Sequence, residues 1–240
     1  MKLNWIITAE DEQRYRDFVD KNKTRTVVLK RLSRNIERSN IDISIQSVWT
    51  HLVRCLLTTQ QRSGARSRVS QFINSNAQLF SLEFCRDSND LASVAKAALK
   101  ESGLRRTDGI AAEINNAIEF FRSGSFQEFE LKLQSITKET AVKRERNVAR
   151  WIQRQFKGFG PKQSRNLIQW LGLSQYEIPL DSRMAKVLRK LDFPVPLSSA
   201  ALADEEYYCF VEDGLHIILS RIEVVPCIFD ACAFASFEKD

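Results

Sequence analysis

Apolar residues recur three and four positions apart along most of the chain, with charge filling the opposite faces, and this spacing predicts helices almost throughout. Segments 9–22 and 25–39 are amphipathic, whereas 47–59 ("SVWTHLVRCLLTT") is more uniformly apolar and reads as a buried helix. Further helices are predicted over 90–102, 109–124 and 126–136, bounded by Gly103, Gly109, Gly124 and clusters of asparagine and serine. Over 139–156, Val148, Ala149, Ile152 and Phe156 form one stripe. Over 181–191, Val187, Leu188 and Leu191 form another, and the last helices span about 202–219 and 226–236. Sustained β-branched alternation, repeats and long linkers are missing. The fold class is all-α.

The segment "FKGFGPKQSRNLIQW" (156–170) interrupts this pattern. Gly158 and Gly160 are free to adopt positive φ and allow a backbone or phosphate to come close. Pro161 suits the first turn of the following helix, which runs to Leu171 with Ser164, Leu167, Ile168 and Leu171 turned toward the preceding one. The result is helix, tight glycine turn, helix. Its exposed N–H groups suit an anion, although a purely structural hairpin has the same spacing. Lys162 sits at the unfavourable end of a helix dipole. It is a phosphate contact, a lysine pushed toward its neutral and nucleophilic form, or a solvated surface residue. Asp181 follows "IPL" and opens a helix, which suits an N-cap. One carboxylate oxygen could cap while the other faces a cleft.

Composition refines the picture only slightly. The 240 residues are 43% hydrophobic and 28% charged, ordinary for a globular protein, and no apolar run approaches a membrane span. The N-terminus lacks a signal-peptide layout. A formal charge of +6 suits a partner with a phosphate backbone, as it suits many unrelated enzymes. The five cysteines, Cys55, Cys85, Cys209, Cys227 and Cys232, lie mostly in apolar stretches and read as reduced core thiols. His51 and His216 lie in apolar helical stretches, and no residue cluster has zinc or iron spacing.

Taken in order, "CLLTTQQRS", "FKGFGPKQSRNLIQWLGL" and "IPLDSR" resemble the helix-hairpin-helix DNA glycosylases. Lys162 and Asp181, 19 positions apart, are similar to the lysine and aspartate of the bifunctional 8-oxoguanine branch. The resemblance covers about 47–191 and implies two helical lobes around a DNA-binding cleft. One lobe would be 47–175, with the hairpin at about 144–171, and the other would combine 1–46 with 176–240. The implied activity is base-excision repair with strand cleavage at the abasic site: a base is flipped from duplex DNA and Lys162 attacks C1′. Asp181 would stabilise the developing sugar cation or help to keep the amine neutral.

Gln60 would be the wedge filling the vacated stack, against its reading as a helix cap. Gly158, Phe159 and Gly160 would hold a phosphate through the hairpin. Arg62, Arg66 and Arg68 would contact phosphates, or form a solvated basic face. Asn166 would meet the flipped base, or be solvent-exposed. The resemblance also implies a sodium or potassium ion on the carbonyls of Arg154, Phe156 and Phe159. No further cofactor is expected, because the four-cysteine iron–sulfur pattern of endonuclease III is missing. Ser164 stands where the family's hairpin usually has alanine. The expected protein is a cytoplasmic, nucleoid-associated monomer acting on damaged duplex DNA. A monofunctional glycosylase for alkylated or mispaired bases and a non-catalytic DNA-binding hairpin are the rival readings. Asp181 argues against the last, since phosphate binding has no use for a carboxylate beside it.

Overall fold

The computed structural model describes residues 4–61, 64, 66–75, 77–138 and 140–238. They form helices joined by short loops, with no strand among the described residues. In chain order these are α1 (Ala9–Asn22), α2 (Thr26–Arg31, continuing as a π-helical turn over Leu32–Ile36), α3 (Ile45–Leu57), α4 (Arg68–Asn74) and α5 (Leu82–Asp87). Then come α6 (Leu91–Glu101), α7 (Thr107–Arg122), α8 (Phe126–Gln134), α9 (Val142–Gln155) and α10 (Pro161–Trp170). The chain closes with α11 (Ser182–Lys190), α12 (Glu205–Arg221) and α13 (Pro226–Ala235).

Most of these helices lie where the periodicity predicts them. The short α4 and α5 are additional. Helix α7 begins two residues before Gly109, with Arg106 at its N-cap in the left-handed region (φ 55°). A glycine inside the first turn of a helix marks no boundary when the preceding backbone already supplies the stop.

Buried apolar side chains gather into two clusters. One runs from Val48 to Leu173 and is dominated by α3, α7, α9 and α10, with Phe120, Phe129, Trp151 and Phe156 meeting edge-on or tilted and Phe121 stacked on Phe156. The other joins Tyr15, Val19 and Val28 from the N-terminal helices to α11, α12 and α13. The stripes read from sequence are buried as expected: Val148, Ala149, Ile152 and Phe156 in the first cluster, Val187, Leu188 and Leu191 in the second.

Buried polar and charged groups reach between the clusters. Arg165 of α10 is fully buried, with Nε 2.8 Å from Glu177 Oε2 and Nη2 2.7 Å from Glu205 Oε1, and its guanidinium lies 4.8 Å from the Tyr208 ring centroid. Glu212 lies 3.5 Å from the same guanidinium. Removing one partner of such a buried set is costly, because it leaves an uncompensated buried charge. Glu145 of α9 is also fully buried and accepts the backbone N–H groups of Gln175, Tyr176 and Glu177 at 2.8–3.0 Å. It anchors the segment that leads from α10 to Asp181.

Candidate active site

The turn between α9 and α10 is closed by the Phe159 N–H donating to the Phe156 carbonyl at 3.1 Å, with Gly158 at φ 89°. That geometry favours glycine. Gly160 has φ −92° and ψ −171°, extended backbone open to any residue, so of the two only Gly158 uses the positive φ that glycine permits. A Cβ at Gly160 would meet nothing within 4 Å. No internal contact requires glycine there; what its small size leaves clear is the outer surface of the hairpin. The Phe159 ring is buried against Phe156, so this residue offers a ligand its backbone only. The Arg154 and Phe159 carbonyls accept no turn or loop hydrogen bond, and the Phe156 carbonyl retains a second lone pair. Backbone carbonyl oxygens are the donor type that a monovalent cation takes.

Lys162, on the first turn of α10, projects into a cavity of about 310 Å³ between the two clusters, lined also by Asn166, Gln169, Asp181, Arg183, Asp230 and Phe234. Burial pushes the Lys162 amine below its ordinary range; the charges of Asp181 and Asp230 pull it back up, and Arg183 pushes it down. Its Nζ donates to Gln163 Oε1 at 3.2 Å. Gln163 Nε2 in turn donates to the Cys55 carbonyl at 2.7 Å and to Thr59 Oγ1 at 2.8 Å, at the C-terminal end of α3.

Asp181 is the N-cap of α11, its Oδ1 accepting the Arg183 and Met184 N–H groups at 2.9 Å each. Its Oδ2 borders the cavity but is held by Arg183, through Nε at 3.1 Å and Nη2 at 2.9 Å. Asp181 thus caps α11 with one oxygen and lines the cavity, with Arg183 on its other oxygen. The Asp181 charge favours the ammonium form of Lys162, against the effect of burial.

Asn166 is neither solvent-exposed nor unattached. It is 7% exposed, borders the cavity one turn after Lys162, and donates to Gln163 Oε1 at 3.4 Å. Gln60 lies outside the cavity, exposed, with φ 56° and no side-chain hydrogen bond among the described residues. The neighbouring Gln61 does the structural work, donating to the Leu57 carbonyl at 2.7 Å and accepting the Arg105 N–H at 3.0 Å. Arg66 is exposed, Arg68 donates to the Gly103 carbonyl at 2.8 Å, and Arg62 lies outside the described residues.

Asp230 and Arg31, paired at 2.9 Å across the cavity wall, were not foreseen. Burial raises Asp230 above the usual carboxylate range. Phe234, with the Arg183 guanidinium 4.3 Å from its ring centroid, is another addition. These residues lie near the two chain ends, and no local motif announces them. All five cysteines are buried and unpaired. His51 and His216 each bond a backbone carbonyl, of Ser47 and of Tyr176, at 2.9 Å. No cluster of three or more His, Cys, Asp or Glu suited to a metal occurs among the described residues. No described helix is long and apolar enough to cross a membrane.

No protein-family model and no curated protein sequence matches the chain. Solved structures do. The 8-oxoguanine DNA glycosylase of Thermotoga maritima superposes with a TM-score of 0.73 over 95% of this chain and 98% of its own, at 12% identity. The 8-oxoguanine glycosylase/lyase of Methanocaldococcus jannaschii, in complex with a 15-mer DNA containing 8-oxoguanine, gives 0.68 over 92% and 96%, at 14% identity. A second structure of the Methanocaldococcus jannaschii enzyme gives 0.65 at 14% identity. The chain shares their fold. At that level of identity the likeness lies in the path of the backbone, and the chemistry has to be argued from the side chains around the cavity.

Proposed function

We propose that this protein is a base-excision DNA glycosylase with abasic-site lyase activity, acting on an oxidised purine, with 8-oxoguanine the first substrate to test. The observation that carries this reading is a desolvated lysine amine and an N-capping carboxylate bordering one cavity, in a fold shared with 8-oxoguanine glycosylases. The two apolar clusters support a division into one lobe of 47–175 and another of 1–46 with 176–240, and the cavity lies between them.

In this mechanism the flipped nucleoside enters the cavity and neutral Lys162 Nζ forms a bond to C1′. The glycosidic C–N bond breaks, its electron pair leaves with the base, and the base takes up a proton. Asp181 stabilises the positive charge that develops on the sugar. Opening of the sugar ring, with proton transfer to O4′, leaves an imine between Nζ and C1′. Loss of a C2′ proton then expels the 3′ phosphate. Gln60 fills the emptied stack, the N–H groups near Gly158 and Gly160 hold a neighbouring phosphate, and Asn166 contacts the base. A sodium or potassium ion on the hairpin carbonyls would bring a positive charge to that phosphate. The protein would act as a cytoplasmic, nucleoid-associated monomer.

The test is a panel of duplexes, each with one damaged base, resolved on strand-cleavage gels with and without borohydride. Cleavage and covalent trapping on an oxidised-purine duplex are expected. Base release without trapping would make the enzyme monofunctional, and binding without release would leave a DNA-binding module.

A further inference from the structure

Residues 103–106 join α6 to α7, and two sets of contacts hold this turn. On one side lies the segment that follows α3: Gln61 Oε1 accepts the Arg105 N–H at 3.0 Å, and Arg68 Nη1 donates to the Gly103 carbonyl at 2.8 Å. On the other side is the hairpin. Arg106 Nη2 lies 2.9 Å from Glu113 Oε1, and the Glu113 carboxyl group packs on Gly158, where a Cβ would lie 2.5 Å from its carboxyl carbon. The turn therefore bridges the neighbourhood of Gln60 and the hairpin.

Folding alone accounts poorly for this arrangement. Arg106 adopts φ 55°, a costly conformation for a side chain of its size, and buried Arg106 Nη1 and Glu113 Oε2 have no hydrogen-bond partner. Leu104 is buried, leaving Arg105 as the group the turn presents outward. Its side chain is exposed and makes no hydrogen bond or ion pair among the described residues, and the same is true of Arg66 and Lys157 on the two segments it bridges. Asp108, the acid next along α7, is taken by Lys96.

We propose that Arg105 is a phosphate-binding residue for the nucleic-acid strand that passes Gln60, presented by a turn braced between that segment and the hairpin. This rests on the glycosylase reading and extends it to a residue outside the cavity. A guanidinium held out on a braced turn meets a phosphate without the ordering cost of a free loop.

Fluorescence anisotropy with undamaged and lesion-bearing duplexes tests the proposal, comparing wild type, Arg105→Ala, Arg105→Lys and Lys132→Ala, the last removing a charge on α8. Arg105→Ala should weaken both duplexes about five- to tenfold at low salt and reduce the slope of log affinity against log salt by about 1. Arg105→Lys should recover most of the affinity. Single-turnover base release at saturating DNA should not change. If Arg105→Ala and Lys132→Ala behave alike while wild type binds DNA, the assignment to Arg105 is wrong and the glycosylase reading survives. If wild type binds no DNA, both are wrong.

Discussion

Arg183 grips the carboxylate of Asp181, two residues before it, at 2.9 and 3.1 Å, and lays its guanidinium over the ring of Phe234 at 4.3 Å. Both members of the pair act on Lys162, and they act in opposite directions: Asp181 favours the ammonium and Arg183 disfavours it. Trapping on a preformed abasic duplex should rise with pH as the amine loses its proton. Its midpoint should lie below the 10.4 or so of a free lysine. Asp181→Asn should shift that midpoint further down and Arg183→Ala should shift it up. Shifts in the same direction would show that the two charges do not reach the amine independently.

Lys162→Gln should abolish trapping and strand cleavage while preserving much of the duplex affinity, because the hairpin N–H groups are untouched. Asp181→Asn keeps its shape and capping ability and should bind well. Its base release should slow by about 10²-fold or more, roughly 3 kcal/mol of transition-state stabilisation. Trapping that persists in Lys162→Gln would mean another amine does the chemistry.

The two hairpin glycines should separate stability from binding. Gly158→Ala puts a Cβ into the Glu113 carboxyl group at a φ of 89°, and should cost about 1–3 kcal/mol in thermal or denaturant unfolding. Gly160→Ala adds a methyl to open space in extended backbone and should leave stability within about 0.5 kcal/mol of wild type. It should nonetheless weaken duplex binding, since the methyl stands where a phosphate would come. Unchanged binding would remove Gly160 from the interface.

Gln60→Ala should weaken binding to a damaged duplex more than to a single strand with the same lesion, because only a duplex leaves a void to fill. Gln60 is exposed and holds nothing in the fold, so the comparison is free of a stability effect. Equal losses on both substrates would end its role as a wedge.

The buried ionic cluster predicts a pH dependence of stability. Burial lifts Glu177 to about 7, against the pull of Arg165, and Glu212 also rises, through burial and the nearby Glu177 charge. Between about 4.5 and about 7 the folded state therefore holds more protons than the unfolded chain, and this contribution to stability is lost as pH climbs through that window. His51 and His216, lowered below 6.5 by burial, act the other way and lose stability as pH falls. Glu177→Gln removes one of these groups, so its melting temperature should gain on wild type from pH 5 to pH 7.5. No gain over that range would mean that Glu177 stays ionised in the folded protein throughout it.

How much of this was legible depended on sequence distance. The hairpin, Lys162 and the capping Asp181 were readable because glycine, proline and a helix start leave local marks within some 25 positions. Asp230 and Arg31 are 199 positions apart and carry no such mark. Arg165 sits between Ser164 and Asn166 on a helix that continues into "LIQWL", and a lone arginine there reads as surface. Only the arrival of Glu177, Glu205 and Glu212 from other segments makes burial of its charge tolerable. Helices α4 and α5, of seven and six residues, are too short to display a period. For Asn166, spacing gives the face of a helix but not what covers it, so its burial is invisible in the sequence.

The amide of Gln163 touches Lys162 with its oxygen and the end of α3 with its nitrogen, and the chain that leaves α3 there reaches Gln60 within a few residues. The Thr59 side chain and the Lys162 amine are thus two hydrogen bonds apart, through a residue also held by the Cys55 carbonyl. On the glycosylase reading, this one amide would link the segment that carries Gln60 to the amine of Lys162.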